Sequence, residues 1–318
     1  VKKHLNWILP TAFYVALVGF LVYYVINVDW AVVAEMELSW PPLIAATVIS
    51  LGFRYWGVGI WFLILKRIGA TGLRGHYREL TYIYAKSWLG RYIPGAATWI
   101  LGKIYFASRH GVSKSRLAVS GLLEGAMQIL ATLLIGSLLI LTDSRTEALP
   151  LFLRVGVGLV LILGLIAIIP PVFNRLLALA AKTIRRGPID PEVLPGWRTM
   201  GEGVGLYVVG ALLTGISYYL VAASVYPAID INDALFIIGA ASLSSAISMI
   251  VVFAPGGLGV REGVLGLLLA VVMPGQIALI LVVLLRLWSV AVDLLFYVIT
   301  WLSRPRKAEL EQELGLTE

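Results

Sequence analysis

The chain has no cysteine in its 318 residues. Disulfides, thiol nucleophiles and thiolate metal sites are therefore excluded. Histidine is almost as scarce. His4, His76 and His110 are scattered and sit in or near connecting segments, so no metal site is expected. Charge is the third shortage: 14% of residues are charged and 59% hydrophobic, against roughly 25% and 45–50% in soluble domains. Mean hydropathy is +0.91. Such a composition belongs to an integral membrane protein, with membrane lipids as neighbours and no nucleic acid among its partners. Short alternating stretches, the mark of barrel strands, are also missing. The apolar runs are long and continuous, so the spans are helical.

What is present is a series of apolar segments at 7–28, 41–65, 80–101, 117–141, 150–171, 206–226, 234–254, 257–273 and 276–302. The first is read as a retained helix rather than a cleaved signal peptide, since no small-residue cleavage site follows it. Basic residues orient the rest, because cytoplasmic connections collect Lys and Arg. Lys2 and Lys3 place the N-terminus inside, Asp29, Glu35 and Glu37 mark an outer loop, and Lys66, Arg67, Arg74 and Arg78 an inner one. Segment 80–101 is then followed by Lys103, Arg109, Lys114 and Arg116, a second basic stretch. A segment with basic stretches on both sides is expected to be a re-entrant hairpin entered from the cytoplasm. Arg304, Arg306 and Lys307 put the end of 276–302 inside, so 234–273 is expected as a second hairpin, entered from outside. Of the 25 Lys and Arg, 18 fall in cytoplasmic stretches and 2 outside. Full crossing by either hairpin is the competing reading, since hydrophobic length alone permits it.

The expected fold is an all-α polytopic membrane protein built as an inverted repeat of helix, helix, re-entrant hairpin, helix. It has about six full spans plus two broken hairpins. The first repeat occupies 1–141, the second 142–302, and 303–318 form a short cytoplasmic tail. Each hairpin breaks at a Pro-Gly turn: Arg91-Tyr92-Ile93-Pro94-Gly95, and Ala254-Pro255-Gly256-Gly257-Leu258-Gly259. Proline removes a backbone donor and glycine loosens the helix, so the freed polar groups need protein or a hydrated cavity around them. Paired breaks in two halves point to a transporter's binding site. Pro94, Gly95, Pro255, Gly256, Gly257 and Gly259 are accordingly the expected hinge and gating positions. Pro94 precedes Glu124 by 30 residues and Pro255 precedes Arg286 by 31.

Ionisable groups at bilayer depth cost about 2.5–3.5 kcal/mol each on insertion scales and are functional candidates. Here they are Arg54, Lys86, Arg91, Glu124, Arg261, Glu262, Arg286 and Asp293. Arg286 and Asp293 are two helical turns apart and share a face. Glu124 lies between Gly121 and Gly125, which admit a neighbouring helix. The half-helices that start after the breaks offer free N–H groups and a positive dipole end to an anion. Together with the guanidinium groups they make a buried phosphate site. Glu124 and Glu262 would balance charge or meet a cationic head group. The competing reading is that these charges only pair with one another and lock the bundle. The aromatics Tyr82, Tyr84, Trp88, Tyr92 and Trp99 are read first as packing or interface anchors, and 174–186 as a basic amphipathic stretch on the anionic leaflet.

The run from Arg91-Tyr92-Ile93-Pro94-Gly95 through Lys103 to Arg109-His110-Gly111-Val112-Ser113 resembles the first signature of the lysylphosphatidylglycerol synthase transmembrane (flippase-domain) family. Ala254-Pro255-Gly256-Gly257-Leu258-Gly259-Val260-Arg261-Glu262-Gly263, followed by Arg286, is similar to the second. Some members carry Arg where this chain has Lys103. The resemblance implies translocation of a phosphate-containing lipid such as an aminoacylated phosphatidylglycerol or a polyprenyl-phosphate-linked sugar. It implies a cell-membrane protein with both termini cytoplasmic. The expected substrate-binding residues are Arg91, Lys103, Glu124, Arg261, Glu262, Arg286 and Asp293. No cofactor and no catalytic residue is expected, and the 318 residues hold no aminoacyl-transferase domain. A second copy of the chain or a separate lipid synthase is the expected protein partner. Two other readings stay open: a membrane-embedded lipid-modifying enzyme using Glu124 and Glu262, and a non-transporting scaffold for a separate synthase or glycosyltransferase.

Overall fold

A computed structural model describes residues 38–71, 73, 75–92, 98–185, 193–251 and 259–304, the side chains of 148 and 180–185 excepted. The first apolar run, the turns at Pro94-Gly95 and Pro255-Gly256-Gly257, and the tail from 305 onward lie outside the described residues. Among these residues all regular structure is helical: α1 (Trp40–Arg67), α2 (Tyr77–Trp88) running into a 3-10 turn (Leu89–Tyr92), α3 (Thr98–Ala107), α4 (Lys114–Thr142), α5 (Leu151–Ala167), α6 (Pro170–Arg185), α7 (Trp197–Val225), α8 (Ala234–Ile250), α9 (Val260–Leu269) and α10 (Gly275–Leu302). Helices α1, α4, α7, α10 and the stretch Ile231–Ile250 are long and apolar enough to span a bilayer. The protein is an all-α polytopic membrane protein.

The connections sort to two ends of the bundle. At one end Arg67 at the close of α1 meets Glu202 near the start of α7 at 2.5 Å, and Arg116 of α4 donates to the Gly69 carbonyl. At the other, Ser39 N–H donates to the Ser224 carbonyl at 2.7 Å, and Arg145 reaches Asp233 at 2.6 Å. The basic connections before α2 and after α3 thus share an end, which the charge pattern requires of a hairpin that enters and leaves on one side.

Helices α2 and α3 have 12 and 10 residues, roughly 18 and 15 Å at 1.5 Å per residue. Neither reaches across a hydrocarbon core of about 30 Å. The two run antiparallel in close contact. A Cβ on Gly102 would lie 3.0 Å from Ser87 Oγ, and one on Gly90 3.2 Å from the Trp99 nitrogen. The Thr98 hydroxyl donates to the Gly90 carbonyl. The chain therefore reverses between Tyr92 and Thr98, and the helical arms extend from Tyr77 to Ala107, beyond the expected 80–101. The second pair is unequal. α8 with the preceding 3-10 turn is long enough to cross, whereas α9 has 10 residues.

Segment 150–171 also differs from expectation. α5 stops at Ala167 and α6 leaves at 99°. Pro170 and Pro171 lack the N–H groups that would continue α5 but fit the first turn of a new helix. The basic amphipathic stretch is thereby a helix of its own, with Phe173 and Leu177, one turn apart, buried and Leu176 and Leu179 exposed. α5 buries only Gly164, and its outward Leu and Ile side chains suit lipid.

Small residues set the closest helix contacts, as expected where lipid provides no hydrophobic drive between helices. A Cβ on Gly136 (α4) would come within 2.6 Å of the Leu243 nitrogen (α8), and one on Gly215 (α7) within 2.8 Å of the Ile238 Cα (α8). Two apolar clusters result. One gathers Trp61, Leu80, Tyr84, Leu123, Met127 and Phe296; the other gathers Phe236, Leu243, Leu265, Leu281 and Leu285.

Two outcomes follow. Gly136→Ala forces a methyl into backbone and lowers stability by about 1–3 kcal/mol. Gly156→Ala, with nothing within 4 Å, is neutral or stabilises by up to about 1 kcal/mol. Thermal unfolding in detergent distinguishes them. Because the chain has no cysteine, single cysteines report topology without background: Ser113→Cys is labelled by an impermeant maleimide from one side of the membrane and Asn232→Cys from the opposite side. Labelling of both from one side would overturn the two-ended arrangement.

Candidate functional site

A polar cavity lies where the two clusters meet, lined from α1, the tip of the first hairpin, α4, α7, α8, α9 and α10. Its organising group is Asp293 of α10, 1% exposed. The carboxylate accepts from Arg54 Nε of α1 at 2.6 Å, from Trp88 Nε1 at 3.2 Å and from the Tyr92 hydroxyl at 2.5 Å. Both oxygens are used, and three separate elements are bound to one buried charge. A buried carboxylate persists in this way when its lone pairs are taken by charged and neutral donors.

Four arginines line the cavity: Arg54, Arg91, Arg261 and Arg286. Arg54 is neutralised by Asp293. Arg286, two turns before Asp293 on the same face, lies 5.4 Å above the Tyr92 ring and 3.6 Å from Glu262. Tyr92 thus touches Asp293 through its hydroxyl and Arg286 through its face. Arg91 stacks over Trp88 at 4.7 Å. Arg261 lies 5.2 Å over the Tyr218 ring and donates to its hydroxyl. Among the described residues neither Arg91 nor Arg261 has a carboxylate within 4 Å. Among the described residues, two carboxylates, Asp293 in the cavity and Glu262 beside Arg286, face the four guanidinium groups.

Glu262 has a second duty. Its Oε2 accepts from the Gly259 N–H at 2.7 Å and caps α9, so one free donor of the half-helix is already taken by the chain's own carboxylate. Gly259 has φ +82°, which a residue with a side chain adopts only with strain. Of the expected hinge residues, Gly259 is the one described; Pro94, Gly95, Pro255, Gly256 and Gly257 fall outside.

Lys103 and Glu124 are placed elsewhere. They form a pair at 2.5 Å with exposures of 0% and 2%. Lys103 Nζ sits 3.9, 4.8 and 5.0 Å from the ring centres of Tyr84, Trp99 and Trp61. The Tyr84 and Tyr207 hydroxyls stand beside the Glu124 carboxylate. The pair joins α3 to α4 and does not line the cavity; Tyr207, which does, stands between. Asp293, Arg91, Arg261 and Arg286 are therefore brought together, Glu262 adjoins them through Arg286, and Lys103 with Glu124 forms a separate sealed pair.

Sequence reasoning missed the serine face of α8. Ser242, Ser245 and Ser248 line the cavity at a spacing of three residues, and Ser242 Oγ is buried with no hydrogen-bond partner among the described residues. Serines recurring at helical spacing in an otherwise apolar helix were the available signal. The cavity measures about 70 Å³. A water needs roughly 10–15 Å³ by the same measure. Several waters or one small oxyanion fit; acyl chains do not.

A family model described as "Lysylphosphatidylglycerol synthase TM region" matches residues 7–296. Comparisons with curated proteins and with solved structures give no match.

The sealed pair generates a stability prediction. Lys103→Met leaves Glu124 buried without its cation and costs about 3–5 kcal/mol. Adding Glu124→Leu in the same chain restores most of the loss. Unfolding midpoints of the two variants in detergent are the check, and equal destabilisation would contradict the coupling.

Proposed function

The chain belongs to the lysylphosphatidylglycerol synthase transmembrane family, and on that footing we propose that it is a flippase that moves a phosphate-containing lipid between leaflets. The observation that carries the proposal is the charge balance of the cavity. A guanidinium group inside a membrane faces the bundle interior or a hydrated cavity and pairs with another charged group or with backbone carbonyls. Arg91 and Arg261 line the cavity with aromatic and hydroxyl neighbours and no carboxylate within 4 Å among the described residues. An anionic head group would supply the missing counter-charge.

Arginine suits that task because its planar fork stays charged and grips phosphate through paired N–H groups. In this reading Arg91, from the first hairpin, and Arg261, from the start of α9, hold the phosphate between them. Arg286 completes the cradle, and the α8 serines bond the remaining oxygens. The acyl chains stay in the bilayer, which agrees with the small cavity volume. An inverted repeat would let the two hairpins open this cavity to either face in turn. The substrate is an aminoacylated phosphatidylglycerol or a polyprenyl-phosphate-linked sugar, and the protein resides in the cell membrane with both termini cytoplasmic. It acts as a transporter rather than an enzyme, and its protein partner is a second copy or a separate lipid synthase.

The test is scrambling in proteoliposomes with head-group-labelled phosphatidylglycerol and, in parallel, a polyprenyl-phosphate lipid. Each charge-assisted hydrogen bond is worth about 1.5–3 kcal/mol. Arg91→Gln and Arg261→Gln therefore each slow movement by about 10-fold or more, with unfolding midpoints near wild type. Unchanged movement in Arg91→Gln, Arg261→Gln and Arg286→Gln would reject the cradle.

A further inference from the structure

The histidines were expected to be scattered, yet two of them meet. His76 is the N-cap residue of α2, Glu79 lies in the first turn of that helix, and His110 follows α3 in a 3-10 turn. The closing of the first hairpin brings its two roots together, and Gly111, at φ +79°, turns the chain immediately after His110. One ligand atom from each of His76, Glu79 and His110 lies within 4.8 Å of the others. His110 Nε2 is 3.3 Å from Glu79 Oε1, and the imidazole centroids are 5.4 Å apart.

Three features separate this cluster from an ordinary surface contact. His76 Nδ1 and Glu79 Oε2 are both buried with no hydrogen-bond partner among the described residues. The His76 side chain makes no capping bond to its helix. Two of the neighbouring cations are engaged elsewhere: Arg109 is 2.5 Å from the Tyr105 hydroxyl and 4.5 Å over its ring, and Arg116 donates to the Gly69 carbonyl. In a basic stretch, the only described ionic partner of Glu79 is thus a histidine.

We propose that His76, Glu79 and His110 bind a divalent transition-metal ion of the zinc type, at the root of the first hairpin and apart from the lipid cavity. Two imidazoles and one carboxylate are a known zinc donor set, and the fourth position of a tetrahedron goes to water or a further ligand. Ligand bonds of about 2.0–2.2 Å place tetrahedral donors about 3.3 Å apart, the spacing His110 and Glu79 already have. The ligand atoms lie within 4.8 Å of one another, so the His76 nitrogen needs to move inward by up to about 1.5 Å on the same geometry. A bound ion gives the part-buried Glu79 carboxylate a divalent counter-charge in place of a histidine alone. It also ties residue 76 to residue 110, so it restrains both arms of the hairpin at their base. The inference is independent of lipid transport and stands or falls on metal binding.

The experiment uses the whole chain, tag-free, in detergent, cleared of metal with a chelator and desalted. Zn²⁺ is titrated by calorimetry and Co²⁺ by its visible absorption. The expected result is one ion per chain, with Zn²⁺ displacing Co²⁺ and raising the unfolding midpoint. His76→Ala, His110→Ala and the near-isosteric Glu79→Gln each weaken binding by more than the about 10–100-fold that losing an outer-shell partner costs. The metal-dependent rise in midpoint disappears with them, and His4→Ala changes nothing. Absence of saturable one-to-one binding in the wild-type chain, or binding that survives both histidine substitutions, would overturn the site.

Discussion

The bond set around Asp293 is the constraint on which the rest of the site depends. A carboxylate at bilayer depth is tolerable only when its charge and lone pairs are met by protein. Here Arg54 meets the charge, and Trp88 and Tyr92 take up further acceptor capacity. Those donors come from α1 and from the end of the first hairpin, so satisfying one side chain of α10 docks a short re-entrant element against two long helices. The position of Arg91 beside Trp88, and of Arg286 above Tyr92, follows from that docking. The site is therefore held by a polar interaction, while glycines set the closest approaches between the long helices.

Buried charge is used in two ways in this molecule. Lys103 and Glu124 are closed off by aromatic rings and tyrosine hydroxyls, with no access to the cavity. Each is the other's counter-ion, and the pair fixes α3 to α4. The cavity arginines are balanced only in part, by Asp293 and, at a longer distance, Glu262. A closed pair resists movement, whereas an excess of positive charge in a polar cavity attracts a mobile anion. The same residue types thus divide into framework and candidate site according to what surrounds them.

Much of this was legible along the chain. Apolar length and continuity identify the helices, because lipid leaves backbone groups no other partner. Basic residues on both sides of 80–101 require it to enter and leave at one end, and the Arg116–Gly69 contact and the approach of His76 to His110 lie at that end. The seven-residue spacing of Arg286 and Asp293 places both on one face, and both line the cavity. Pro170 and Pro171 carry the signal for the break between α5 and α6, although hydropathy alone ran the segment on to 171. The capping of α9 by Glu262 through the Gly259 N–H was not read from the sequence, because glycine has no side chain to mark an N-cap.

Periodicity, charge and turn chemistry act along one dimension, so the sequence by itself determined the membrane class, the family, the helix-forming segments and which residues are costly to bury. Partnership was decided by tertiary structure. Glu124 belongs among the costly residues while Lys103 reads as part of a basic connection, and only the docking of α3 against α4 makes them a sealed pair. Ser242, Ser245 and Ser248 form an ordinary stripe until α8 turns it toward Arg261 and Arg286. His76 and His110 are 34 residues apart in the chain and meet only because the hairpin folds back on itself. Whether a charged or metal-ligating group is satisfied depends on what reaches it across helices, and that distance is set by docking and helix rotation rather than by spacing along the chain.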